Sequence, residues 1–425
     1  MEVTIDQQDG VIYFKLIPEK LDLEHIQSSN IKLAEKITFI DLGGIKLEMI
    51  HPDFIGLASI LMCHPFVGKE LSLPVRVSEY FFTESNKVLS KYKIISEIDY
   101  ELLPYSPPKR SRPGLAFSGG ADSSAALSLM PGNTVPIFMN RPMKRWSIYD
   151  SDAPLASCES ISEIGYDVQI IDCDVEYLRK PVGFPSDLAH AIPSILLAEN
   201  LGLDSIAFGT VLESAYGIGH ENYKDYPNGA HRRFFGSLFN AAGLELFLPV
   251  SGISEVGTSI INHKSPLGEY AQSCIRGKSG FPCLKCWKCF RKGMLANALF
   301  GSEFNIGTVI KKNKEVKTKL SAYPISHEDV LIYSIQRIQL ENSEYLEKLR
   351  DRLDTDLDMN FLERWYSPSL ELVPEKYRIG VKEKISEFLK PMNSSEEKVL
   401  EKWDMEEFLL RESTKIAHKK LKSLF

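Results

Sequence analysis

The segment Phe117-Ser118-Gly119-Gly120-Ala121-Asp122-Ser123-Ser124 has the residue types of an anion cradle. Two glycines let the backbone turn tightly and bring N–H groups close to an anion. A helix opening directly behind them adds orphan donors and partial positive charge. Ser118 and Ser123 carry hydroxyls that can donate to phosphate oxygens, and Asp122 can cap the helix or orient a metal-bound phosphate. The segment lacks the Gly-Lys-Ser/Thr ending of the Walker loop and the G-x-G-x-x-G spacing of dinucleotide folds. A glycine turn with an aspartate cap and no ligand is the plain alternative.

A second constellation is thiol-based. Cys274, Cys283, Cys286 and Cys289 form C-x8-C-x2-C-x2-C. Four thiolates at such spacing can close a tetrahedron around zinc, and a closed site leaves no position for water, so its role is structural. A four-iron cluster is the rival chemistry. Lys285, Lys288, Arg291 and Lys292 surround the quartet, offset its charge and can face a phosphate. Cys63, Cys158 and Cys173 are scattered and read as buried small hydrophobes.

These groups need elements to hold them. Gly114–Phe117 reads as a buried strand and 121–130 as a helix; strands at 135–139, 168–171 and 205–208 alternate with helices at 153–164 and 188–200. That alternation argues for βαβ units and a parallel sheet. Residues 1–108 read as a β-rich accessory domain, with strands at 11–17, 37–42, 45–50, 73–77 and 92–95. Gly43-Gly44 is the expected hairpin turn between the second and third of these. A proline-rich linker, Pro104 to Pro113, separates that domain from a core domain at 109–295. From 296 to 425 the pattern is helical, with helices expected at 330–340, 345–353, 381–389 and 396–410. The lysine run Lys311, Lys312, Lys314, Lys317 and Lys319 reads as a solvated face, with a polyanion contact as the alternative.

Composition narrows the class. The chain has 425 residues, 44% hydrophobic and 25% charged, which suits two or three ordinary globular domains. A net charge of −7 gives no overall pull toward nucleic acid or anionic membrane. The start lacks a basic n-region followed by an apolar run, and the most apolar stretch, Phe54 to Met62, is too short to span a bilayer. A cytoplasmic location with reduced cysteines is the expectation.

The S-G-G-x-D-S loop resembles that of the ATP pyrophosphatase (PP-loop) superfamily. Together with the quartet it resembles the 7-cyano-7-deazaguanine synthase (QueC) family, over roughly Gly114 to Leu295. Arg291 fills the family's arginine after the quartet, Phe208-Gly209-Thr210 resembles its strand end before the substrate pocket, and Pro249 lies at about the expected distance before Cys274. The resemblance implies a PP-loop, doubly wound parallel sheet and a structural zinc. It implies ATP and Mg²⁺ on Ser118, Gly119, Gly120, Ala121, Asp122 and Ser123, with the adenine near Phe138 and Met139 and Gly209 at the site. A 7-deazaguanine acid is then expected between Gly209–Tyr216 and the metal-ordered segment, with Glu213, Tyr216 and Arg291 as candidate contacts. Glu213 equally reads as a solvated glutamate.

The implied chemistry is adenylation of a carboxylate with release of pyrophosphate, then capture by an amine. The chain departs from the family at Asn140-Arg141, at Ser186-Asp187 and at Glu255, where a lysine is expected. It also carries long extensions at both ends. Long variants of the family occur in Qat-type antiphage defence systems, and this chain looks most like one of those. The expected partner is a protein from the same operon that receives the activated deazaguanine. Housekeeping nitrile synthesis with ammonia, a tRNA-modifying enzyme and a non-catalytic scaffold are the alternatives. His231-Arg232-Arg233 reads as a basic surface turn or a phosphate contact, Gly217 to Glu221 with His220 as a lid, and Trp287 as packing.

Overall fold

The computed structural model describes residues 1–144, 148–219, 222–338 and 343–425. Its centre is a five-stranded sheet in the order Gln169–Asp172, Val135–Asn140, Arg112–Phe117, Leu203–Ala207, Glu245–Phe247. All four pairings are parallel. The first strand in sequence therefore lies in the middle, and the chain builds outward on both sides of it. That order creates a switch point at the carboxyl ends of Arg112–Phe117 and Leu203–Ala207, the place where open α/β sheets hold ligands. The central strands are buried on both faces, as parallel sheets covered by helices must be. The fold is thus α/β, followed by a helical C-terminal region.

Residues 1–108 form a second five-stranded sheet, Ile37–Asp41, Val11–Ile17, Glu2–Gln8, Glu70–Ser72, Lys93–Ile95. Three helices, Lys20–Ser28, Pro52–Cys63 and Glu79–Val88, share this region with the strands, so it is α/β and not simply β-rich. The apolar run at 54–62 is the buried core of the second helix. The expected Gly43-Gly44 hairpin does not form. Both glycines take positive φ, but the chain beyond them enters a short 3-10 helix, Leu47–Met49. The hairpin lies at Asp9-Gly10, both at positive φ, between Glu2–Gln8 and Val11–Ile17. The strand expected at 73–77 is replaced by two shorter pieces, Glu70–Ser72 and Val77–Ser78.

Packing runs across the proline-rich segment. The Asp174 carboxylate accepts from Thr38 Oγ1 at 2.7 Å and from the Phe39 N–H at 2.9 Å. Lys32–Leu33 pairs with Arg179–Lys180, and Tyr105 Oη donates to the Leu203 carbonyl at 3.0 Å. The C-terminal helix Glu375–Phe388 is tied in the same way. Asp204 accepts from Tyr377 Oη and Lys376 Nζ at 2.6 Å, and the Tyr377 ring stacks on Phe247.

Two expected helices are broken for local reasons. At 188–200 Pro193 has no N–H to give, so a 3-10 turn Ala189–Ala191 precedes a restart at Ile192. At 396–410 helices Ser394–Glu401 and Glu406–Leu410 flank Trp403, which turns inward; its Nε1 donates to the Gly219 carbonyl at 3.3 Å. The helix expected at 330–340 is Glu328–Ile335; residues 339 and 340 lie outside the described ones. Helices Glu344–Leu353 and Glu375–Phe388 cover the other two expectations. Lys311, Lys312, Lys314 and Lys319 are exposed.

Asp174→Ala removes the acceptor for two donors at the junction of the two sheets. A loss of about 1–3 kcal/mol in urea unfolding is expected, with faster proteolytic cleavage in residues 1–108. Unchanged unfolding would show that this junction does not hold the sheets together.

Candidate functional site

The glycine loop sits at the switch point. Strand Arg112–Phe117 ends, Ser118 to Gly120 turn, and helix Ala121–Leu129 begins. Gly119 has φ +68°, and a Cβ there would press on Ser157 and Pro154 at 3.1–3.2 Å, so only glycine fits. Gly120 is the N-cap, and no side chain caps the helix. The capping role open to Asp122 is therefore not used; Asp122 lies inside the first turn. No side chain takes the first N–H groups of the helix, a feature that anion sites at helix starts share. A Cβ on Gly120 would meet only Ser118 Oγ at 3.3 Å and Lys288 Nζ at 3.8 Å. Ser123 Oγ donates to the Gly120 carbonyl at 3.0 Å and accepts from the Ser118 N–H at 3.3 Å, so this hydroxyl braces the loop. Ser118 is exposed; its Oγ lies 3.1 Å from Ser123 Oγ and accepts from the Gly120 N–H at 3.3 Å.

Gly209, at the end of the neighbouring strand, explains how the loop is seated. A Cβ there would lie 3.0 Å from Asp122 C and Ser123 N. The strand end packs directly on the helix start, which leaves no ligand space between them.

A cavity of about 320 Å³ opens beside the loop. Ser118, Phe138, Met139, Arg141, Tyr149 and Lys288 stand in its walls. Two expected adenine neighbours, Phe138 and Met139, are thus brought to the loop. Arg141 is paired with Glu176, and its guanidinium lies 3.8 Å from the Tyr149 ring centre. His190, also in the wall, is held neutral: burial pushes it down to about 4.

Behind the loop runs a chain of buried charges. Lys292 Nζ lies 3.8 Å from Asp122 Oδ1 and 3.1 Å from Glu255 Oε1, and Arg291 Nε lies 2.8 Å from Glu255 Oε2. Burial would raise the Glu255 carboxyl, but Lys292 and Arg291 outweigh it and hold it well below the usual range. Burial opposes the Lys292 charge, yet Glu255 and Asp122 prevail and raise its pKa. Glu213 Oε1 accepts the Glu255 N–H at 2.7 Å, and its Oε2 has no hydrogen-bond partner among the described residues. Burial and then Asp329 push the Glu213 carboxyl up. Asp329 itself comes from the C-terminal helix Glu328–Ile335; burial first, opposed in part by backbone N–H groups, and the charge of Glu255 push it up to about 7.

The four cysteines converge. Their Sγ atoms all lie within 4.8 Å of one another, and Cys283 and Cys289 are 3.9 Å apart. A tetrahedron with bonds of about 2.3 Å has edges of roughly 3.8 Å, so the set can hold one metal ion. Cys286 caps helix Trp287–Phe300, accepting from the Cys289 N–H at 3.4 Å. The quartet therefore sets where Lys288, Arg291 and Lys292 emerge. Trp287 is buried and stacks on Phe290, and Lys285 is exposed. Cys63, Cys158 and Cys173 are buried.

Other candidates are not at the loop. Tyr216 is buried among Tyr223, Tyr226 and Tyr366. His231 to Arg233 form the first turn of helix Ala230–Ala241, a correction to the surface-turn reading; His231 bonds Tyr226 Oη at 2.9 Å and Asp187 at 3.2 Å. Ser186 donates to the Leu61 carbonyl. His220 and Glu221 lie outside the described residues. The sequence marks Arg141 and Glu255 only as departures from the resembled family and does not single out Glu176 or Asp329. Arg141 had a signal, its place just past a strand end; Glu176 and Asp329 had none.

Residues 234–404 match the model of a family described as a family of unknown function, DUF6395. That stretch includes the quartet, Glu255, Arg291, Lys292 and Asp329 but not the glycine loop. No curated protein and no solved structure matches the chain. No helix among the described residues is long and apolar enough to cross a membrane.

Two outcomes follow from this geometry. Elemental analysis should find one metal ion per chain, lost in Cys286→Ser together with thermal stability; a metal-free, equally stable wild type would exclude the site. Asp329 binds its proton more tightly folded than unfolded, so its contribution falls as pH rises from about 4 to about 7. Asp329→Asn should flatten that decline, by on the order of a few kcal/mol, in urea titrations at pH 5 to 8. Parallel curves for the two proteins would refute the assignment.

Proposed function

We propose that the chain is an ATP-dependent enzyme of the PP-loop kind, similar to 7-cyano-7-deazaguanine synthase. It adenylates the carboxylate of a 7-deazaguanine acid and passes the activated acyl group to an amine. One observation carries the reading. An uncapped helix start with a glycine at its N-cap lies at the switch point of a parallel sheet, next to a cavity walled by Ser118, Phe138 and Met139.

The residues divide the work as follows. Backbone N–H groups of 119–123 and the Ser118 hydroxyl bind the phosphates. Ser123 keeps the loop in shape through its bonds to Gly120 and Ser118. Phe138 and Met139 bound the adenine cavity. The acid oxygen attacks the α-phosphorus, the P–O bond toward the β-phosphate breaks, and pyrophosphate leaves. An amine then attacks the carbonyl carbon and AMP departs. Thr258 and Lys292 both reach Asp122 Oδ1; the Asp122 carboxylate would hold Mg²⁺, which would supply charge compensation for the leaving pyrophosphate. Zinc suits the closed thiolate set and acts by fixing helix Trp287–Phe300.

The departure at Glu255 is compensated in space. Lys292 and Arg291 bracket that carboxylate, so ammonium charge reaches Asp122 from a different element. The acceptor amine belongs to a partner protein, and the setting is antiphage defence. The long extensions and the resemblance support this part of the reading.

The test is incubation with ATP, Mg²⁺ and 7-carboxy-7-deazaguanine, alone and with proteins encoded beside it. AMP, pyrophosphate and a deazaguanine adduct are expected by mass. Gly120→Val fills the cradle at an ordinary φ of −87° and should weaken nucleotide binding more than 10-fold while the protein still folds. Failure of the metal-loaded wild type to form AMP with any deazaguanine acid, with or without neighbours, would overturn the proposal.

A further inference from the structure

A second cavity, about 400 Å³, lies on the other side of Lys288. Gln272, Ser273, Leu284, Lys292 and Phe304 are among its walls. Lys288 is shared by the two cavities: it lines this one and the one that holds Ser118, Phe138 and Met139. Its place is fixed from both sides in sequence, because Cys286 caps the helix start and Cys289 follows one residue later. Among the described residues its ammonium makes no hydrogen bond and no ion pair within 4.0 Å, unlike Arg291 and Lys292 behind it. Yet it stands 3.8 Å from the point a Gly120 Cβ would occupy, directly over the cradle.

The space first expected for the acid is closed. Gly209 packs on the helix start, Tyr216 is enclosed by tyrosines, and Arg291 is consumed by Glu255. The second cavity has what a flat anion needs. Two ammonium groups, Lys288 and Lys292, line it together with Leu284 and Phe304, and Cys274 and Cys289 of the quartet stand in the same wall. Glu269 and Lys278 are also in its walls.

We propose that this cavity is the site of the acid substrate, a planar aromatic carboxylate, and that Lys288 is a catalytic residue contacting both substrates. The inference rests on the adenylation reading and adds to it the location of the acid and the group between the two reactants. The acid lies with its carboxylate toward Lys288 and its ring toward Leu284 and Phe304. Nucleotide α-phosphate reaches the same ammonium from the other cavity. The carboxylate oxygen forms a bond to the α-phosphorus, the bond from phosphorus to the bridging oxygen breaks, and its electron pair leaves on pyrophosphate. Lys288 faces the negative charge on the α-phosphoryl oxygens and holds two anions together that otherwise repel.

Two variants test this. Lys288→Met removes the ammonium and keeps the stem; Ser273→Trp fills the second cavity. With ATP, Mg²⁺ and 7-carboxy-7-deazaguanine, Lys288→Met should lower the rate of AMP formation about 100-fold, and Lys288→Arg should recover part of it. Ser273→Trp should raise KM for the acid more than 10-fold and leave the affinity for a non-hydrolysable ATP analogue, measured by calorimetry, within about 2-fold. Metal content per chain serves as the folding control for both. If the wild type does not bind the analogue, the adenylation reading itself fails. If the wild type forms AMP and both variants match it in rate and in KM, adenylation stands and the bridging role of Lys288 is wrong. Should Lys288→Met lose its metal, Ser273→Trp alone decides: an unchanged KM places the acid elsewhere.

Discussion

Glu255 is the constraint on which the site depends. A carboxylate enclosed by protein survives only with charge partners, because the desolvation cost far exceeds what ordinary hydrogen bonds return. Its two partners, Arg291 and Lys292, sit side by side on helix Trp287–Phe300. Satisfying Glu255 therefore locks that helix against helix Glu255–Lys264. Lys292 continues the chain to Asp122 in the first turn of the loop helix. One buried ion thus connects the glycine loop, the cysteine segment and the short helix Leu212–Tyr216 that carries Glu213.

The cysteine quartet then has a positional meaning. Its four sulfurs converge around the start of helix Trp287–Phe300, and a metal held there would fix the helix axis at that end. Three cations emerge from the first two turns. Two are committed to Glu255, and the third, Lys288, projects over Gly120. A metal held there would bear on the charge over a loop more than 150 residues away in sequence through the position of Lys288 alone.

The C-terminal region is part of this arrangement and not an appendage. Asp329 brings a carboxyl to the buried cluster, Trp403 bonds the Gly219 carbonyl, and Tyr377 with Lys376 covers Asp204 beneath the sheet. Removing these helices would expose Phe247 and leave the buried charges of the cluster open to water. A single hydrophobic cluster runs from the first strand to Leu421, which fits the absence of a packing break at the proline-rich segment.

Local chemistry was legible in the sequence. Short-range rules decide a strand–glycine–helix turn, the β/α alternation after residue 112 and a closely spaced thiol quartet, because each depends on residues within one or two turns of each other. The same rules erred where a few residues outweigh the pattern: Pro193 broke one helix, Trp403 split another, and Leu47–Met49 curled instead of pairing. The resemblance placed Phe138 and Met139 near the loop, and the parallel pairing of Val135–Asn140 with Arg112–Phe117 brings them there. Tertiary structure alone decided the rest. Only folding showed that Gly209 is a packing glycine, that Arg291 belongs to Glu255, and that Asp329 reaches the cluster from more than 100 residues past Glu213. Sequence specifies which groups carry charge; which charges are buried together depends on contacts between distant segments, and burial is what sets their chemistry.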